Sequence, residues 1–71
     1  SQATIYFKDE IINENGNTLY DVSGRLLPVR IKRRISQNSF EIDISGLADG
    51  LYLLRVKVAG GYKTVRIIKG N

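Results

Sequence analysis

The stretch from Leu51 to Val58 reads Leu-Tyr-Leu-Leu-Arg-Val-Lys-Val. Side chains alternate between faces along an extended chain, so Tyr52, Leu54, Val56 and Val58 fall on one side and Arg55 and Lys57 on the other. A helical period would scatter those apolar residues around the axis. The segment therefore commits this region to a half-buried strand. Leu51 and Leu53 add apolar area to its outer face, which predicts that this end is covered on both sides. After Ala59-Gly60-Gly61 the alternation resumes across Tyr62 to Lys69. Val65 and Ile67 take one face, Thr64 and Arg66 the other, and Ile68 breaks the pattern. Glycine tolerates the positive φ of tight hairpins, so the two segments predict an antiparallel hairpin.

The same period recurs upstream. Phe40, Ile42 and Ile44 alternate with Glu41 and Asp43, predicting a strand with one wet face that ends at Ser45-Gly46. Asp49-Gly50 closes the connection into the next strand. Val29, Ile31 and Arg33 alternate with Arg30 and Lys32, and the turn Ser36-Gln37-Asn38-Ser39 ends that segment. Pro28 at its start lacks the N–H of a central ladder, which places the beginning at an edge or bulge. Thr18–Tyr20 and Arg25–Leu27 flank Asp21-Val22-Ser23-Gly24, the composition of a type I turn or a bulged hairpin loop. Asn13 to Asn17 forms a further turn, and Thr4–Phe7 and Ile11-Ile12 are expected to pair as short strands. Six or seven short strands at such spacing predict one domain over residues 1–71, an immunoglobulin-like antiparallel β-sandwich, with a small barrel as the other arrangement of this kind.

Composition narrows the chemistry. A core built from 71 residues supplies only about 3–5 kcal/mol of net stability. There is no cysteine to add a disulfide and no histidine. The usual zinc ligand sets and the Cys–His and Ser–His–Asp nucleophile systems are therefore missing. Eleven Lys and Arg against seven Asp and Glu give a formal charge of +4, a moderate excess that permits anionic partners without designating one. Ser1-Gln2-Ala3-Thr4 does not open a signal peptide, and no apolar run approaches the ~20 residues that span a bilayer. Any export signal is expected on a longer precursor, and the domain itself is not expected to insert in a membrane.

Three segments, taken together, carry a resemblance. They are Leu19-Tyr20-Asp21-Val22-Ser23-Gly24-Arg25-Leu26-Leu27, then Ile42 through Val56 with Leu47-Ala48-Asp49-Gly50-Leu51-Tyr52 at its centre, then Tyr62 through Lys69. Their order and spacing resemble the type A C-terminal sorting domains of the type IX (Por) secretion system of Bacteroidota-type bacteria. The resemblance puts the first family motif on Leu19, Tyr20, Asp21, Gly24 and Arg25. It puts the second on Leu47, Gly50 and Tyr52, and the third on Val65, Ile67 and Lys69. It covers Thr18 to Lys69. Ala3–Ile12 does not match the Pro-Asn-Pro-like opening usual in that family, and Gly70-Asn71 after Lys69 is not its commonest ending.

The resemblance implies a non-catalytic address label. A separate signal peptide would take the precursor to the periplasm, and the outer-membrane translocon would then recognise the label. A sortase-like component would often remove it, leaving the passenger secreted or held at the cell surface. Cofactors are not implied. Nor is a nucleic-acid partner. A carbohydrate-binding or adhesive sandwich module is the alternative, and a small nucleic-acid-binding barrel is a more distant one, for which a charge of +4 is modest.

Individual residues are weighed against plainer roles. Gly50 is read as supplying a turn conformation and Leu47 as core. Lys32-Arg33-Arg34 is read as a solvated strand end that discourages edge-to-edge pairing. Arg55, Lys57, Lys63, Arg66 and Lys69 lie on the final hairpin, and several of them are expected to share one outer face as a basic stripe, the better candidate for translocon contact. Asp9, Glu10, Asn13, Glu14, Asn15 and Asn17 are rich in oxygen, but their spacing is not that of a calcium loop. Tyr6, Tyr20, Tyr52 and Tyr62 are read as cross-strand packing rather than a stacking platform. Glu41 and Asp43 are expected to share the solvent face, where nothing raises one pKa for acid–base work.

Overall fold

The computed structural model describes residues 2–70; Ser1 and Asn71 lie outside the described residues. Seven strands appear among them: β1 (Gln2–Tyr6), β2 (Thr18–Asp21), β3 (Leu26–Leu27), β4 (Ile31–Ser36), β5 (Ser39–Asp43), β6 (Gly50–Val58) and β7 (Gly61–Lys69). They form two antiparallel sheets. One has the order β1-β5-β4 and the other β3-β2-β6-β7. The all-β sandwich expected from the alternation is therefore present. Its division into three and four strands is that of a seven-stranded immunoglobulin-like sandwich. The wiring differs in one place: β2 lies between β3 and β6 rather than beside β1.

The long hairpin is the spine of the larger sheet. β6 and β7 pair from Gly50↔Lys69 to Val58↔Gly61 without interruption. Tyr52, Leu54, Val56 and Val58 are all buried, while Leu53, Arg55 and Lys57 are exposed. The core between the sheets is completed by Ile5, Phe40, Ile42 and Ile44 from the smaller sheet and its loop, Leu19 and Ile67 from the larger one, and Ile12. Phe40, Leu54 and Val56 have no exposed surface.

Four expectations are corrected. Ile11-Ile12 does not pair with Thr4–Phe7; β1 pairs with β5 instead, and Ile12 makes one isolated bridge with Val58. Its backbone N–H donates to Gln37, while Ile11 accepts from Ala59 and Asn13 donates to Lys57. The segment thus ties the ends of the two sheets together, with the Ile12 side chain driven into the core. The strand expected from Pro28 begins at Ile31, and its pairing with β5 slips twice, at Ile31/Arg33 and at Arg34/Ser36. Those irregularities explain why its alternation is ragged.

The third correction concerns β5. It is the central strand of its sheet, and Glu41 is 6% exposed. Its carboxylate accepts hydrogen bonds from Arg33 Nε and from Gln2 Nε2, so the neighbours that cover it also satisfy it. Glu41 and Asp43 do not share an open surface. The fourth concerns the start of β6. Leu51 is half-buried and Leu53 is 38% exposed, so among the described residues the outer face there is only partly covered.

Candidate functional site

The first motif is a turn organised by one carboxylate. Gly24 N–H donates to the Asp21 carbonyl at 3.0 Å and Asp21 N–H donates to the Arg25 carbonyl at 3.1 Å. Gly24 has φ 87°, so the loop is a type I turn closed by a left-handed residue. Asp21 Oδ1 accepts from the backbone N–H of Ser23, the Ser23 hydroxyl and the backbone N–H of Arg25. Oδ2 lies 3.1 Å from Arg25 Nε. The hydrogen bond from the Ser23 hydroxyl, then that from the Arg25 N–H, holds the Asp21 carboxyl below its ordinary value of 3.8. Leu19 is buried in the core and Tyr20 is half-buried on the opposite face.

The second motif forms the connection between the sheets. Leu47 N–H donates to the Ile44 carbonyl at 3.1 Å, and the Leu47 side chain packs against the core. Gly50 has φ 153°, a backbone conformation side chains rarely adopt. Tyr52 is buried, and its hydroxyl donates to the Ala48 carbonyl. The Tyr therefore fills the core and fastens the loop that precedes it.

The third motif closes on the second. Lys69 Nζ donates to the carbonyls of Leu47 at 2.7 Å, Ile44 at 2.8 Å and Ser45 at 3.2 Å. An ammonium with three donors thus occupies three loop carbonyls that have no strand partner. Ile67 is buried and Val65 packs at the rim of the core. The ladder joins the three motifs directly: Asp21 pairs with Tyr52, Tyr52 with Ile67, and Gly50 with Lys69. Residues scattered over half the chain meet at one end of the larger sheet.

The five basic residues of the final hairpin divide between its two faces. Directly paired residues project to the same side, so Arg55 with Thr64, Lys57 with Tyr62 and Leu53 with Arg66 share the outer face. Lys63 pairs with Val56 and projects to the other side, where its amine lies 4.0 Å from Glu10. Lys69 is on that other side too, engaged with the loop. Three of the five cations, Arg55, Lys57 and Arg66, therefore share the outer face. The Arg55 guanidinium stacks on Tyr62 at 3.9 Å from the ring centroid.

Other candidates are consumed locally. Lys32 Nζ donates to Gln2, Arg33 to Glu41, and Arg34 to the carbonyls of Ser36 and Gln37. In the oxygen-rich segment, Asn13 Oδ1 accepts from Asn15 N–H, and Asn17 binds Asn13, Glu14 and Lys57. The tyrosines do not assemble into a platform: Tyr52 is buried, Tyr6 belongs to the smaller sheet, and Tyr20 and Tyr62 to opposite ends of the larger one. Sequence reasoning placed Leu51 and Leu53 on the outer face but did not join Tyr20, Leu26 and Ile68 to them. The signal for these three is a large apolar residue at the solvent-side position of an alternating segment.

A family model described as a secretion system C-terminal sorting domain matches residues 1–70. The match takes in the opening segment as well as the three motifs. No curated protein and no solved structure matches the chain.

Proposed function

The chain belongs to the family of type IX secretion-system C-terminal sorting domains, and from that membership we propose that it is read by the outer-membrane translocon as a folded label. As a sorting signal of that system it acts with the type IX machinery on a passenger lying N-terminal to it, and it directs that passenger to the surface or the medium. The finer steps are part of the proposal. The domain crosses the periplasm with its passenger, engages shuttle and sortase components at the outer membrane, and performs no chemistry itself.

One observation carries this reading: the three motifs fasten one another at a single end of the larger sheet. Gly24 and Gly50 set backbone turns, Asp21 and Lys69 saturate them, and Leu19, Tyr52 and Ile67 bury against the core. In this reading the motifs specify the label's shape, and recognition uses the surface that shape presents. A carbohydrate-binding role would call for exposed aromatics side by side, whereas Tyr62 is stacked under Arg55 and Tyr6 stands on the other sheet.

The test is a reporter carrying a signal peptide, fused ahead of residues 1–71, in a type IX-competent bacterium and in a translocon-deficient strain. Reporter outside the competent strain alone is the expected result. Periplasmic retention in both, with an intact and folded fusion, would overturn the reading.

A further inference from the structure

The two outer faces of the sandwich differ in kind. On the smaller sheet, Glu41 is enclosed by Arg33 and Gln2, and Gln2 also binds Lys32, so that surface satisfies its own charges. The outer face of the larger sheet does not. Its residues follow from the pairing: Leu26 and Tyr20 beside Leu53 and Arg66, Leu51 beside Ile68, Thr18 beside Arg55 and Thr64, and Lys57 beside Tyr62. No carboxylate falls on this face among the described residues. Arg55, Lys57 and Arg66 have no ion-pair partner among them either, while the described ion pairs involve Arg25, Arg33, Arg34 and Lys63.

The face is also sorted along the strands. Toward the motif end it is apolar, with Ile68 at 74% exposed, Leu26 at 60% and Leu53 at 38%. Toward the hairpin tip it is basic, with Arg55 and Lys57 around Tyr62. Arg66 stands at the β7 edge between the two. Exposed aliphatic side chains gathered across three strands, rather than scattered singly, mark an interaction surface.

We propose that this face is the docking surface of the domain and that its occupant is a protein surface with an apolar strip bordered on one side by carboxylates. The inference rests on the sorting reading above and names the chemistry of the contact. Charge complementarity selects the occupant: three unpaired cations and no anion on the face call for acidic groups opposite the basic half. A lipid surface fits less well. Lipid binding sinks apolar side chains about 5–10 Å below the charged layer, whereas here the cations and leucines stand on one plane of a sheet. A single-stranded nucleic acid would stack on aromatics, and the exposed Tyr62 ring already holds Arg55.

The test uses the reporter fusion with two sets of substitutions on this face. One is Arg55→Glu with Lys57→Glu and Arg66→Glu. The other is Leu26→Ser with Ile68→Ser. Lys8→Glu with Arg30→Glu, away from the face, is the comparison. Circular dichroism and melting of the purified domains establish folding, and the single changes Arg66→Glu and Ile68→Ser replace any set that unfolds. Export reduced about tenfold or more by both face sets, and unchanged by the comparison set, is the expected outcome. Export unaffected by the face sets overturns the inference and leaves the sorting reading standing. An unmodified fusion that is folded but retained overturns the sorting reading, and this inference with it. The purified domain is also mixed with phosphatidylcholine vesicles containing phosphatidylglycerol. Binding that the charge-reversed set loses would transfer the face to a lipid occupant and overturn the choice of a protein.

Discussion

Lys69 donates a hydrogen bond of 2.7 Å to the carbonyl of Leu47, across 22 residues of chain. The same amine reaches Ile44 and Ser45, so the last strand clamps the loop that crosses between the sheets. Replacing Lys69 with Ala removes a charged donor from three carbonyls. Hydrogen bonds to charged groups contribute about 1.5–3 kcal/mol, and water recovers part of that for a partly exposed loop. A loss of about 1 kcal/mol lowers the melting temperature of a domain of this size by about 4–8 °C. Hydrogen exchange resolved to Ser45–Ala48 should rise in the same variant, while exchange in β1 stays unchanged.

Gly24 is the cleanest backbone test in the first motif. Its φ is 87°, and an added Cβ would meet nothing within 4 Å. Gly24→Ala therefore introduces conformational strain without a clash, for about 1–2 kcal/mol of lost stability. Gly24→Asn should lose less, because Asn accepts the left-handed region more readily. Urea midpoints of the two variants, ranked Gly, Asn, Ala, check this; equal midpoints would mean the turn relaxes.

Two aspartates make the domain acid-sensitive. Hydrogen bonds from Ser23 and Arg25 lower the pKa of Asp21, and the backbone N–H and then the side chain of Ser45 lower that of Asp43. A carboxyl whose folded pKa is depressed favours the fold when ionised. Its contribution is complete above the ordinary value of 3.8 and is lost as pH falls through the folded pKa. Urea midpoints should hold steady from about pH 7 to about pH 5 and fall below about pH 4. Asp21→Asn should lower the midpoint near neutrality and flatten the acid limb.

Glu41 and Arg33 are unequal partners. The carboxylate side chain is 8% exposed and the arginine side chain 68%. Arg33→Ala takes the principal cation from a buried charge, and breaking a buried pair from that side costs up to about 3–5 kcal/mol. Glu41→Gln leaves Arg33 free to hydrate and should cost less. Thermal melts of the two variants separate the cases; a larger loss in Glu41→Gln would contradict the assignment of burial.

The alternation made β6, β7 and the core face of β5 readable, because a period of two leaves few other solutions for Tyr52, Leu54, Val56 and Val58. The turn at Asp21–Gly24 was equally legible, since only certain residues suit its positions. Three features are misread from the sequence. Ile12 looks like a short strand because an apolar pair carries no record of whether it joins a ladder or plugs a gap. Glu41 looks solvated because its cover comes from Gln2 and Arg33, which sit 39 and eight residues away. Lys63 is a different case: the alternation that puts Val65 and Ile67 on one face puts Lys63 there too, and the pairing with Val56 agrees. For Ile12 and Glu41 the missing information is pairing between segments, which local patterns do not encode.

The central claim is that the turn and core residues of the three motifs act through the fold and are not themselves the surface that is read, Tyr20 being the motif residue that stands on the outer face. The most direct measurement is export of the reporter fusion for Gly24→Ala, Tyr52→Phe and Lys69→Ala, set beside the folded fraction of each purified domain at the same temperature. The account predicts that export follows the folded fraction and matches the unmodified domain wherever the variant is fully folded. A fully folded motif variant that is not exported would contradict it, and would make that side chain part of the recognised surface.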